Sequence, residues 1–236
     1  MPLEICMSAR RALILLALAL AAGCTGERHP MSAGTTPTPH MVRWAGMLPP
    51  RFIAPQRPGT QSSHDGLHAY LSDGLSLDRN TVTFWAVRGQ QRSVQVNYLS
   101  STGDTSFPFL QLSITDPVFV PGRGELQPGD SVEITVTIDP SAIEVSLEPT
   151  GTQFGEPSHL KISYGGADGD LNGDGLVNAA DTQIETHLLG LWYREGSDSD
   201  WTQIPASQSL GDKSFIGELH HFSEYAVSFL EYAVSW

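Results

Sequence analysis

Pro128-Gly-Asp130, followed by Ser131-Val-Glu-Ile-Thr-Val-Thr-Ile138, is the stretch that decides the fold. A turn signal opens it. Val132, Ile134, Val136 and Ile138 then alternate with Ser, Glu and Thr, the period of a strand with one face buried and the other wet. The pattern recurs on both sides. Upstream, Thr81-Val-Thr-Phe-Trp-Ala-Val87 turns at Gly89, and Ser93 to Leu99 sets Val94, Val96 and Tyr98 on one face. Phe109 to Ile114 and Val118 to Val120 follow, and Pro121-Gly122 stops them. Downstream come Ile143 to Leu147, Leu160 to Tyr164, Leu189 to Tyr193, Trp201 to Ile204, Phe215 to Leu219 and Tyr225 to Phe229. Short runs punctuated by turns predict an all-β chain, an antiparallel β-sandwich over residues 67–229. That length is enough for one full core.

One segment breaks the pattern. Asp170-Leu-Asn172-Gly-Asp174-Gly175-Leu176-Val177-Asn178-Ala-Ala-Asp181 places oxygen-bearing side chains at positions 1, 3, 5, 9 and 12 of a twelve-residue loop, with glycine at 6. This is the spacing by which one chain wraps a hard cation. Asp170, Asn172 and Asp174 offer side-chain oxygens, Leu176 its carbonyl, Asn178 a ligand or a bridging water, and Asp181 the closing carboxylate. Gly175 falls where the chain turns sharply with a positive φ. Val177 is expected to point inward and anchor the loop. Calcium is therefore the expected cofactor; the competing reading is a solvated turn. Asp181 is one methylene shorter than the usual Glu, which lowers the expected affinity to roughly 10⁻⁴ M or somewhat tighter.

Beyond the loop, Val177, Ile184 and Leu188 fall on one helical face, and Gly190 is a candidate stop. The run from Asp170 to Gly190 resembles one half of a dockerin module, which repeats such a loop and helix twice. Here one copy is present. Ala179 and Ala180 stand where many dockerins carry a hydroxyl pair for cohesin contact. The resemblance implies a calcium loop without a working cohesin plug. Asp168, Asp170, Asp174, Asp181, Glu185, Glu195, Asp198 and Asp200 crowd this region against Arg194 alone. Such density repels itself unless a cation neutralises it. A metal that binds only the folded form adds about 2.7 kcal/mol when it is a hundredfold above its dissociation constant. Asp198 and Asp200 read as a solvated turn or an added ligand.

At the N-terminus, Arg10-Arg11 precedes an apolar run from Ala12 to Ala22 that is too short to span a bilayer. Leu20-Ala-Ala-Gly23-Cys24 resembles the lipobox of bacterial lipoproteins. That resemblance implies a signal peptide over 1–23, lipidation at Cys24, and a place in the cell envelope, at the outer membrane or cell surface. Cys6 leaves with the signal and Cys24 carries lipid, so no cysteine pair remains for a disulfide. Without residues 1–23 the chain holds 11 basic and 25 acidic residues, a net of −14, which argues against nucleic acid and anionic lipid as partners. Residues 24–66, rich in Pro, Ser and Thr, read as an extended tether. Met41-Val-Arg-Trp44 forms an apolar island within it.

Leu147-x-Pro149-x-Gly151-x-x-Phe154, then Pro157 and a strand, resembles the domain shared by zonula occludens proteins and Unc-type netrin receptors, which has bacterial relatives. It implies a Gly turn and a buried Phe joining two strands of a scaffold domain. Leu191-Trp-Tyr193 with Trp201, and Leu219 to Val227, resemble stretches of secreted bacterial β-domains. The chain closes on a near-duplication: Glu224-Tyr-Ala-Val-Ser-Phe229, Leu230, then Glu231-Tyr-Ala-Val-Ser-Trp236. The first copy is expected to fill the last core position and 230–236 to be a tail.

Catalytic motifs are absent: there is no H-E-x-x-H, no G-x-S-x-G, no phosphate-cradling glycine loop and no catalytic cysteine. His220 and His221 are adjacent on a strand, so they face opposite sides, one buried and hydrogen-bonded, the other exposed. The reading is a surface-anchored, calcium-binding, non-catalytic adhesion, assembly or scaffold module with a protein or glycan partner. The alternatives are a carbohydrate-binding face built from Trp85, Trp192, Tyr193 and Trp201, and a secreted hydrolase.

Overall fold

The structure, a computed structural model, describes residues 38–46, 51–53, 80–99 and 106–230. The signal 1–23, Cys24, most of the tether and tail residues 231–236 lie outside the described residues. The chain divides into two units, residues 1–35 and 36–236, and the description below concerns the second.

Fifteen strands are present among the described residues: β1 (His40–Met41), β2 (Phe52–Ile53), β3 (Thr81–Val87), β4 (Arg92–Leu99), β5 (Ser106–Ile114), β6 (Pro117–Val120), β7 (Gly124–Glu125), β8 (Ser131–Ile138), β9 (Glu144–Glu148), β10 (Gln153–Ser163), β11 (Gly190–Arg194), β12 (Thr202–Ile204), β13 (Ala206–Ser209), β14 (Ser214–His221) and β15 (Glu224–Phe229). One sheet runs β12-β11-β15-β9-β8-β3, with β1 also paired to β15. The other runs β13-β14-β10-β5-β4-β2, with β6 on β10 and β7 on β6. The described pairings are antiparallel. The alternation of β8 comes out as expected, with Val132, Ile134, Val136 and Ile138 all buried. They meet Val94, Val96, Leu110, Leu112, Leu160 and Ile162 of the facing sheet in one core, the arrangement of a sandwich.

Boundaries moved where a local rule was overridden. β5 begins at Ser106, ahead of Pro108, because Pro108 pairs with Asn97 at a register shift, where a missing N–H disturbs the ladder least. β13 carries no apolar alternation of its own and is held by its register on β14. Gly190 does not stop a helix. It is buried in β11, where an added Cβ would collide with the Gln203 amide.

The tether boundary needs the largest correction. Residues 40–44 and 52–53 belong to the sandwich. His40 and Met41 pair with Phe229 and Ser228, the Val42 N–H donates to the Val227 carbonyl (3.1 Å), and Ile143 N–H donates to Val42 O (2.8 Å). The Trp44 ring is buried against Phe52, Tyr98 and Phe109, with centroids 5.3, 5.8 and 4.8 Å away, and its indole N–H donates to Asp139 O at 3.0 Å. These pieces are two or three residues long, too short for a period of two to show among prolines. A Cβ at Gly166 would run into the six-membered ring of Trp44. Gly166→Ala is therefore expected to lower stability by about 2 kcal/mol through overpacking, read as a fall in melting temperature.

Candidate metal loop

β10 lies in one sheet and β11 in the other, so residues 164–189 carry the chain across the sandwich. A 3₁₀ turn at Gly165–Ala167 leads into the loop. The loop ends in a short α-helix, α1 (Ala179–Gln183), which widens into a π turn over Ile184–Leu188. Ala167, Leu171, Ile184 and Leu189 tuck into the core and fix both ends of the crossing. Leu171, at position 2, is the inward anchor. Val177 is not: it is 68% exposed and lies over Gly169 at the loop mouth. It stands just before the helix cap, so the inward face begins only at Asp181 and Ile184.

The loop's acids curl it by accepting its own backbone N–H groups. Asp170 Oδ1 accepts from Gly173 (2.8 Å) and Asp174 (3.1 Å), and its Oδ2 from Gly175 (2.9 Å). Asn172 Oδ1 accepts from Asp174 N–H at 3.0 Å, while its amide donates to Asp174 Oδ2 at 3.2 Å. Asp174 Oδ1 accepts from Leu176 N–H at 2.8 Å. Gly175 has φ +83°, as its place in the pattern requires. Asp170, Asn172 and Asp174 are thus brought together; the Leu176 side chain is exposed, leaving its backbone to follow the turn.

Positions 9 and 12 serve the helix. Asn178 is the N-cap, its Oδ1 accepting from Ala180 N–H at 2.7 Å, and Asp181 completes a capping box. Asp181 is 3% exposed. Its Oδ2 accepts from Asn178 N–H at 2.9 Å, and its Oδ1 reaches back to the N–H groups of Leu171 (2.8 Å) and Asn172 (3.3 Å). Burial works to raise its pKa, but the N–H donors of Asn178, Leu171 and Asn172 outweigh it and hold the carboxyl below the usual range. The donors that surround this carboxylate all belong to the loop itself.

Charge around the loop is relieved from outside it. Lys213 of the β13–β14 turn does this, pairing with Glu185 at 2.5 Å. Arg194 turns away to Glu144 and Glu224. Among the described residues no lysine or arginine pairs with Asp168, Asp170 or Asp174. Burial pushes the Tyr98 hydroxyl up, and the nearby Asp168 adds to it. Among the described residues no three His, Cys, Asp or Glu side chains converge as a metal cluster. A hard-cation loop does not need that, since amide and backbone oxygens complete its set. Here the oxygens on hand are those of Asp170, Asn172, Asp174, Leu176, Asn178 and Asp181.

No known protein family, curated protein or solved structure matches this chain.

The remaining sequence features fall elsewhere. Trp192 is buried in β11, its indole donating to Ser228 O at 3.0 Å, and Trp201 stacks under Arg194 at 4.6 Å. Trp85 is exposed on β3, the opposite edge of that sheet, so the four aromatics form no single platform. Gly151 turns with φ +79° between β9 and β10 as the Leu147–Phe154 pattern implies, but Phe154 is only half-buried, edge-on to Phe222. His220 is exposed and His221 half-buried. His221 Nδ1 lies 3.2 Å from Ser223 Oγ, which the separate positions of His221, Ser223 and Glu195 gave no means of reading. Ser223 is buried, His221 half-buried and Glu195 exposed. Asp198 and Asp200 are exposed. Among the described residues no helix is long and apolar enough to cross a membrane.

Proposed function

We propose that this protein is a lipid-anchored cell-envelope module whose β-sandwich is braced by calcium in the 170–181 loop, and that it acts without catalysis in adhesion, assembly or scaffolding. One observation carries the reading. The loop with hard-cation spacing is the crossing between the two sheets, already curled around Asp170 with Gly175 at its sharp turn. A cation there would tie the β10 end to the β11 end and neutralise Asp170 and Asp174, which pair with no lysine or arginine among the described residues. Asp170, Asn172, Asp174, Asn178 and Asp181 would supply side-chain oxygens and Leu176 its carbonyl; the ion would supply charge compensation and cross-linking.

The test is thermal unfolding of residues 25–236 with calcium, with magnesium and with chelator. Calcium at a hundredfold over its dissociation constant should add about 2.7 kcal/mol. Asp174→Ala should abolish that gain while changing the chelator curve little, because its side chain is exposed. Asp198→Ala should leave the gain intact. Equal behaviour of the two variants overturns the ligand set. The anchor has its own check: Cys24→Ser should move the protein from the detergent to the aqueous phase of a partition experiment.

A further inference from the structure

The near-duplication at the C-terminus acquires a meaning once β15 is placed. β15 is an interior strand of its sheet, flanked by β11 on one side and by β9 and β1 on the other. Its slot is specific. Arg194 Nε donates to the Glu224 carboxylate, the Tyr225 hydroxyl donates to His221 O at 2.7 Å, and Ser228 Oγ donates to His40 O at 2.7 Å. Ala226 is buried opposite Trp192 and Glu144, Val227 is buried in the core, and Phe229 stacks on His40 at 4.8 Å.

Glu231-Tyr-Ala-Val-Ser-Trp236 repeats every residue that makes those hydrogen bonds, in order, and changes only Phe to Trp at the end. A strand's facing pattern travels with its sequence, so the second copy would set Tyr232 and Val234 on the core face, as Tyr225 and Val227 are, and Ala233 and Ser235 on the opposite, also covered face, as Ala226 and Ser228 are. We propose that the β15 slot is a binding site for the chain's own 231–236 segment, so that the sheet can be closed by either hexapeptide. Taking the second copy lengthens the link after His221 from Phe222-Ser223 to Phe222 through Leu230, and closure entropy grows only slowly with such length. Attachment to the same chain gives the segment a high effective concentration at the slot, which favours this arrangement over exchange between molecules. The inference is independent of the metal reading.

A complementation experiment tests it. Val227→Asp puts a carboxylate into the core and is expected to destroy the fold whenever β15 must fill the slot. In the full chain, Val227→Asp should retain a cooperative thermal transition as a monomer by light scattering, because 231–236 takes over. The same substitution in a chain lacking 231–236, or combined with Val234→Asp, should show no transition. Val234→Asp alone should leave the melting temperature unchanged. A full-chain Val227→Asp protein as unfolded as the truncated one overturns the proposal. A folded but dimeric one overturns its assignment to the same chain.

Discussion

A chain cut to begin at residue 60 should not unfold cooperatively, and Trp44→Ala in the longer chain should cost about 4 kcal/mol. The reason is that residues 40–44 and 52–53 complete the core although they sit in a segment with the composition of a linker. Removing them deletes buried Val42, Trp44 and Phe52, uncaps the Val227 carbonyl and Ile143 N–H, and leaves Phe109 and Tyr98 facing a void. Trp44 and Phe52 alone are each worth about 3–5 kcal/mol as large-to-small losses. A whole domain of this kind holds only about 5–15 kcal/mol. The two losses therefore take most of the stability before the backbone bonds are counted. Trp44→Ala should appear as a melting temperature lower by about 12 °C with the transition still cooperative. If residues 40–53 only tethered the domain, both changes would be silent, and circular dichroism melts of 25–236, 60–236 and Trp44→Ala separate the two accounts.

This is also where the sequence was hardest to read. The strands that announced themselves were those long enough to repeat: β8 with four alternate aliphatics, β3 with Val82, Phe84 and Ala86, β4 with Val94 and Val96. Their alternation is a local consequence of one dry face, and it is visible because each spans several periods. β1, β2 and β13 are two to four residues long and owe their extended shape to the strand beside them, information that resides in β15, β4 and β14. The metal loop divides the same way. The positive φ of Gly175 follows from a short-range rule and is legible in the spacing; the capping role of Asn178 is just as local, but the cation pattern claims that residue as a ligand. That Leu171 rather than Val177 faces inward depends on where β10 releases the chain, and that Lys213 answers Glu185 depends on sheet pairing fifty residues away in register. Spacing within the loop contains neither fact.

Asp181→Ala should destabilise the protein by about 3 kcal/mol in the presence of chelator, before any metal is considered. Its carboxylate accepts the N–H groups of Leu171, Asn172 and Asn178, and removing it strands those donors under the cover of the loop. Stranded donors cost about 1–3 kcal/mol apiece, and partial access to water limits the sum. A melting temperature lower by about 8 °C is the expected reading for a chain of this size. Asp181→Asn should be intermediate, because one amide oxygen still accepts while the new NH₂ group opposes a backbone donor. The sign of the pH dependence follows from the depressed pKa. The stabilisation is fully present above the unfolded carboxyl pKa, about 3.9, and is lost as pH falls through the lower folded value. The wild-type chain should therefore lose stability more steeply than Asp181→Asn below about pH 4, and the two curves should converge in strong acid. A residue acting only as a metal ligand would behave differently, with Asp181→Ala matching wild type in chelator and departing from it only when calcium is added. Measuring both variants in chelator from pH 3 to 7 distinguishes a carboxylate that closes the loop onto itself from one that waits for an ion. The hydrogen bonds to Leu171 and Asn178 predict the former, with calcium adding to a loop that already holds its shape.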